Sequence, residues 1–109
     1  MLGMKEKNDK AYYPICLNLS GKRCVVVGGG RVALRKVEAL LAHGARVEVI
    51  SPVLMPELEH LAQGGHIGAL RRRYQAGDLK GVFLAIAATD ERQTNLQVMK
   101  EARDATVLV

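Results

Sequence analysis

An α/β fold built on a parallel sheet follows from three features of the 109-residue sequence. Two runs, Cys24-Val25-Val26-Val27 and Val82-Phe83-Leu84-Ala85-Ile86-Ala87, are apolar throughout, so neither has a side suited to water. Segments of helical period alternate with short strand-like runs. The first apolar run stops at Gly28-Gly29-Gly30, and a helical pattern begins directly after it. Strands buried on both faces and joined through helices make a doubly wound parallel sheet, Rossmann-like, with the expected strand order 3-2-1-4-5. The crevice then lies between the first and fourth strands.

Residues 1–11 read as a disordered polar lead-in, and 12–109 as one dinucleotide-binding domain. Tyr13-Pro14-Ile15-Cys16-Leu17-Asn18-Leu19 predicts a short amino-terminal strand whose edge Tyr12 and Tyr13 seal, and Ser20-Gly21-Lys22 a turn. After the glycines, Val32, Ala33, Val37, Leu40 and Leu41 share one helical face, and Gly44 supplies the stop. Val47-Glu48-Val49-Ile50 is the second strand, closed by Ser51-Pro52. A modest helix runs from about Pro56 to Gln63 and ends at Gly64-Gly65. Ile67 to Leu70, running into Arg71-Arg72-Arg73-Tyr74, is a weaker third strand. Asp78 to Gly81 turns into the second doubly buried run. Asp90 opens a helix to about Arg103, with Leu96, Met99 and Ala102 facing inward, and Thr106 to Val109 begins a last strand.

Composition narrows the function. Sixteen Lys and Arg against eleven Asp and Glu give a net charge of +5, which favours an anionic partner. Three Tyr, one Phe and no Trp leave little from which to build base-stacking platforms, so nucleic acid is not the expected partner. No apolar run approaches the roughly 20 residues of a membrane span, and the polar start lacks a signal-peptide stretch, which points to a cytoplasmic domain without membrane contact. Cys16 and Cys24 form no redox or zinc spacing and read as buried, unreactive thiols. His43, His60 and His66 lack ligand spacing; Glu57 and His60 read as a surface pair, and His43 suits the last turn of its helix. No protein-bound metal is expected.

Gly28-x-Gly30-x-x-Ala33, between a buried strand and a helix, has the context of the dinucleotide fingerprint. Gly28 permits the tight turn, Gly30 lets a pyrophosphate approach the backbone, and Ala33 allows close helix–strand packing. The amides of Arg31 and Val32 then face an anion from the positive end of the helix. A glycine-rich turn that merely packs closely is the bland alternative. The second strand ends not in Asp or Glu but in Ser51-Pro52-Val53, so the ribose would be met by the Ser51 hydroxyl and backbone near Pro52 and Val53. The absence of a nearby Arg or Lys favours NAD over NADP. Ala88 leaves room for a flat cofactor, and Thr89 either lines the pocket or, like Asp90, caps the next helix.

Pro14 to Leu19, Val25 to Lys36, Gly44 to Pro52 and Leu84 to Asp90 together resemble the amino-terminal NAD-binding domain of the precorrin-2 dehydrogenase and siroheme synthase family. The resemblance implies oxidation of precorrin-2 to sirohydrochlorin with NAD, by a homodimeric parent whose substrate is an anionic tetrapyrrole; some members also insert ferrous iron. Carried onto this chain, it places cofactor contacts at Gly28, Gly30, Arg31, Val32, Pro52 and Val53, with Ala88 and Thr89 lining the pocket. It further implies a domain truncated at its carboxyl-terminal end, before an Asn-x-x-Asp segment that holds the family's candidate base, so no catalytic residue is assigned within 1–109. Arg71-Arg72-Arg73 either steers the acidic substrate or guards an exposed edge strand. The alternative function is a nucleotide-sensing regulatory domain without catalysis.

Overall fold

The structure, a computed structural model, describes residues 11–109; most of the expected lead-in, 1–11, lies outside the described residues. Four parallel strands, β1 (Arg23–Val27), β2 (Arg46–Ile50), β3 (Gly68–Leu70) and β4 (Leu84–Ala87), stand in the order β3-β2-β1-β4. Helix α1 (Arg31–Ala42) links β1 to β2, and α2 (Pro56–Gln63) links β2 to β3. The connection from β3 to β4 carries no helix, only a run of turns, and α3 (Arg92–Asp104) follows β4. The expected fifth strand is reduced to a single parallel bridge between Leu84 and Leu108, where Leu108 accepts from the Ala85 amide at 2.8 Å. It stands beside β4, the place the order 3-2-1-4-5 assigns it.

The central strand explains why the sheet is closed on both faces. Cys24 and Val26 point into a core shared with Ala33, Leu34, Val37 and Leu58, beneath α1 and α2. Val25 and Val27 point the other way, into a core with Val98 and Ala102 of α3. Each valine so buried contributes roughly 1.5–3 kcal/mol relative to exposure, and alternation along one strand serves two cores at once. On the second face the crossover takes the place of a helix: Tyr74, Leu79 and Val82 are buried there with Ala85.

Several side chains depart from the sequence reading. Residues 13–19 form no strand: they pair with none of the four strands, and pairing rather than composition makes a strand. Tyr12 and Tyr13 accordingly seal nothing and stand exposed, and Cys16 is exposed as well. Cys24 alone is the buried thiol, and burial raises its pKa. In α1 the inward face is Ala33, Leu34, Val37 and Leu40; Val32 is exposed and Leu41 only partly buried. In α3 it is Val98 and Ala102, while Leu96 and Met99 face outward. No Glu57–His60 ion pair forms among the described residues; Glu59 engages Arg71 instead. His43 does finish α1, its Nδ1 lying 2.7 Å from the Ala39 carbonyl oxygen.

One ion pair closes the helix-free crossover onto itself. Arg72 donates to both oxygens of Asp78 at 2.9 and 2.8 Å, and Asp78 Oδ2 also accepts from the Gln75 amide at 2.7 Å. The guanidinium of Arg72, more than any other group, lowers the Asp78 pKa. A carboxylate whose folded pKa is depressed stabilises the fold above its unfolded pKa of about 4, and that stabilisation is lost as pH falls through the folded value. Asp78→Asn is therefore expected to lower stability by about 1–3 kcal/mol at pH 7. In thermal melts the gap between variant and parent closes as the pH is taken below about 4; a gap that persists unchanged in acid contradicts this role.

Candidate functional site

β1 ends against its neighbours so closely that the next two residues have no space for side chains. Gly28, at φ 139°, donates its amide to the Ile50 carbonyl at 3.0 Å. A Cβ at Gly28 would lie 2.3 Å from the Ala88 carbonyl oxygen, beyond β4. A Cβ at Gly29 would lie 1.9 Å from the Val53 carbonyl oxygen, beyond β2. The Gly29 carbonyl in turn accepts from the Met55 amide at 2.9 Å. Gly30 differs from both: a Cβ there meets nothing within 4 Å. Two glycines thus knit the loop to the strand ends, and the third faces open space. The fingerprint treats the middle glycine as a free position, yet it makes the closest approach of the three; three consecutive glycines were its only signal.

Gly30 is also the N-cap of α1, and no side chain caps the helix. The first-turn amides are therefore left without an acceptor, at the end of the helix that carries the positive half-charge. Arg31 and Val32 are exposed there and form one wall of a cleft of about 870 Å³ at the carboxyl ends of β1, β2 and β4. Ala33 stands apart from the other expected contacts: it is fully buried in the core and does not line the cleft.

Ser51, Pro52 and Val53 form a second wall. The Ser51 hydroxyl donates to the Val53 carbonyl at 2.9 Å, which closes the turn after β2 and leaves only its lone pairs for a ligand. Glu48, the nearest acidic residue on β2, is paired with Arg23 at 3.0 Å. Ala88 and Thr89 form the third wall. Here the sequence missed Asn95, on the first turn of α3. Its Oδ1 accepts from the Thr89 hydroxyl at 2.7 Å and the Thr89 amide at 3.2 Å, and its Nδ2 donates to the Thr89 carbonyl at 3.0 Å. One side-chain amide thus fixes the backbone that leaves β4. The N-cap of α3 is Glu91, not Thr89 or Asp90; Thr89 Oγ1 accepts from the Glu91 amide at 3.1 Å in a turn ahead of the helix.

The fourth side of the cleft comes from the crossover, with Arg73 and Tyr74 opposite Glu91 and Thr94. Tyr74 is buried and donates its hydroxyl to Glu101, away from the cleft. Burial first, and that hydrogen bond second, push its pKa up, so it stays a neutral phenol. Arg73 donates to both oxygens of Glu91 at 2.8 and 3.1 Å, and Thr94 Oγ1 donates to Glu91 at 2.9 Å. The Arg73 hydrogen bond is the main cause that lowers the Glu91 pKa, with Thr94 next. The arginine triplet follows directly on edge strand β3, and its members pair one by one with Glu59, Asp78 and Glu91.

The geometry suits a flat, anionic nucleotide. Open amides at the α1 N-terminus, open space at Gly30 and a four-sided cleft suit a dinucleotide whose pyrophosphate would lie over the glycine loop. Among the described residues no group of three or more His, Cys, Asp or Glu is placed to hold a metal ion. The class of protein so defined is a nucleotide-binding domain of the doubly wound kind.

Comparisons with known proteins narrow the class. Residues 15–109 match a family model described as "Putative NAD(P)-binding". The chain is 46% identical over 98 residues to a siroheme synthase from Chromobacterium violaceum and 45% identical over 98 residues to one from Nitrosococcus oceani. Each match takes in 90% of this chain and 21% of the relative, so the chain spans about a fifth of the length of these relatives. Among solved structures, SirC, a precorrin-2 dehydrogenase, superposes with a TM-score of 0.76 at 31% identity, covering 81% of this chain and 44% of its own. The chain belongs to the NAD(P)-binding domain family shared by siroheme synthases and precorrin-2 dehydrogenases. No helix among the described residues is long and apolar enough to cross a membrane.

The unequal surroundings of the glycines separate folding from binding. Gly29→Ala is expected to cost about 3 kcal/mol, since backbone rather than a flexible side chain stands in the way of the new methyl group. Gly30→Ala stays within about 1 kcal/mol of the parent, because its Cβ enters open space. Urea unfolding of the two variants beside the parent checks both values.

Proposed function

We propose that this chain is the NAD-binding domain of a precorrin-2 dehydrogenase, which oxidises precorrin-2 to sirohydrochlorin during siroheme synthesis. The observation that carries the reading is the pairing of an open Gly30 with an uncapped α1 N-terminus, at the mouth of the cleft between β1 and β4. Similarity to siroheme synthases and to a precorrin-2 dehydrogenase supplies the reaction. When bound, the dinucleotide accepts a hydride. The chain's own residues bind and orient it: the amides of Arg31 and Val32 meet the pyrophosphate, and Gly28 and Ala33 hold helix to sheet. Pro52 and Val53 lie under the adenosine, with Ser51 accepting from its ribose, and Ala88 and Thr89 lie under the other half.

NAD rather than NADP is the cofactor in this reading. A 2′-phosphate at the β2 end would lie beside Ser51, Pro52 and Val53, where the turn offers no cation, and hydrogen bonding to Val53 commits the Ser51 proton. The substrate is a tetrapyrrole rich in carboxylates, which suits a net charge of +5. The parent works in the cytoplasm as a homodimer. No residue is assigned as the general base: of the two carboxylates that line the cleft, Glu91 is paired with Arg73 and Asp90 is exposed.

Isothermal titration with NAD tests the cofactor reading. The parent chain is expected to bind saturably in the micromolar to millimolar range, and NADP more weakly. Gly30→Asp, which sets a carboxylate against the pyrophosphate, reduces binding at least tenfold while the fold is retained. A folded parent that takes up no NAD at millimolar concentration contradicts the proposal.

A further inference from the structure

Arg71, Arg72 and Arg73 are adjacent in sequence but do different work. Arg71 reaches Glu59 on α2, and Arg72 closes the crossover onto Asp78. Neither lines the cleft. Arg73 does, and so does its partner Glu91. Both side chains are largely exposed, at 71% and 52% of full accessibility, so their mutual attraction is screened by water and contributes little to the fold. The pair is also bidentate, with two guanidinium nitrogens on two carboxylate oxygens. A guanidinium fork set in this way is pre-organised for a planar, two-oxygen anion.

We propose that Arg73 receives a carboxylate of the substrate, and that the Glu91 carboxylate occupies this position until the substrate displaces it. The inference rests on the dehydrogenase reading above and adds to it the residue that recognises the acidic substrate. Three observations favour exchange over a fixed staple. First, Glu91 stands at the Thr89 side of the cleft, its amide donating to Thr89 Oγ1, and Arg73 meets it there from the crossover, so the pair adjoins the wall proposed to lie under the dinucleotide's second half. Second, Thr94 Oγ1 donates to Glu91 Oε1 at 2.9 Å, so one oxygen has a partner independent of Arg73, and the half-exposed carboxylate leaves the other open to water. Third, the crossover keeps its own anchors when Arg73 moves: Arg72 on Asp78 and Tyr74 on Glu101 hold it from the two adjacent positions. The exchange trades one guanidinium–carboxylate fork for another of the same kind, so Glu91 competes with the substrate for Arg73 without blocking it.

The experiment compares two ligands on three proteins, all as the 109-residue chain. NAD and uroporphyrin, a stable tetrapyrrole bearing acetate and propionate side chains, are titrated into the parent, Arg73→Gln and Glu91→Gln, with thermal melts as the folding control. The readout is the ratio of uroporphyrin affinity to NAD affinity. Arg73→Gln is expected to lower the ratio about tenfold, and Glu91→Gln, which removes the competitor, to raise it about two- to fivefold. Arg73→Lys keeps the charge but loses the fork, and falls between Arg73→Gln and the parent. An unchanged ratio in Arg73→Gln, including the case in which none of the proteins takes up uroporphyrin, overturns the proposal. So does a loss shared equally by both ligands, which marks a structural staple. A parent that fails to bind NAD overturns the dinucleotide reading itself; a parent that binds NAD while the ratio stays fixed overturns only the role of Arg73.

Discussion

The contact on which the rest depends is the approach of the Gly28–Gly29 backbone to the carbonyls of Ala88 and Val53. It draws together the ends of β4 and the turn after β2, with β1 between them, and it works only because two consecutive residues lack a Cβ. The Gly28 amide on Ile50 and the Met55 amide on Gly29 tie the same junction by hydrogen bonds. With the loop pinned on both sides, α1 begins directly after Gly30, and its uncapped first turn stands at the mouth of the crevice. The uncapped helix end is a consequence of packing that would be needed for the fold in any case.

The β3–β4 crossover has a comparable double role. In a doubly wound sheet this connection is ordinarily a helix lying on the second face. Here turns replace it, and Tyr74, Leu79 and Val82 do the burying. A helix would set its side chains at fixed angular intervals. The irregular path lets three successive arginines turn to three different acids, one on α2, one within the crossover and one at the start of α3. One of the three, Arg73, then lines the cleft, where Arg31 stands at the start of α1.

Much of the fold was legible in the sequence, and for local reasons. β1 and β4 announce themselves because strands buried on both faces are apolar at consecutive positions, and Gly28 and Gly30 because strand and helix flank them at the right spacing. What escaped depends on contacts distant in sequence. Residues 13–19 have strand-like composition but pair with no strand, since pairing is a property of the sheet. Val32 fits the helical period, yet it sits in the first turn, where that face of α1 looks onto the cleft instead of the core. Leu96 and Met99 misled in the same way: α3 turns Val98 and Ala102 to the sheet, and an apolar residue can lie on an exposed face. Asn95, Arg73 and Gly29 could not be assigned from spacing, because their partners lie elsewhere in the chain or beyond the strand ends.

The central claim is positional: a dinucleotide lies across the carboxyl ends of β1, β2 and β4. Nuclear magnetic resonance of the isotopically labelled chain during addition of NAD reads that position residue by residue. The amide shifts are expected to concentrate at Gly28 to Ala33, Ser51 to Val53 and Ala88 to Glu91, with Arg31 and Val32 moving most as their amides acquire an acceptor. Shifts confined to the opposite end of the sheet, around Arg23, Arg46 and His66, or no shifts at saturating NAD, would contradict the account.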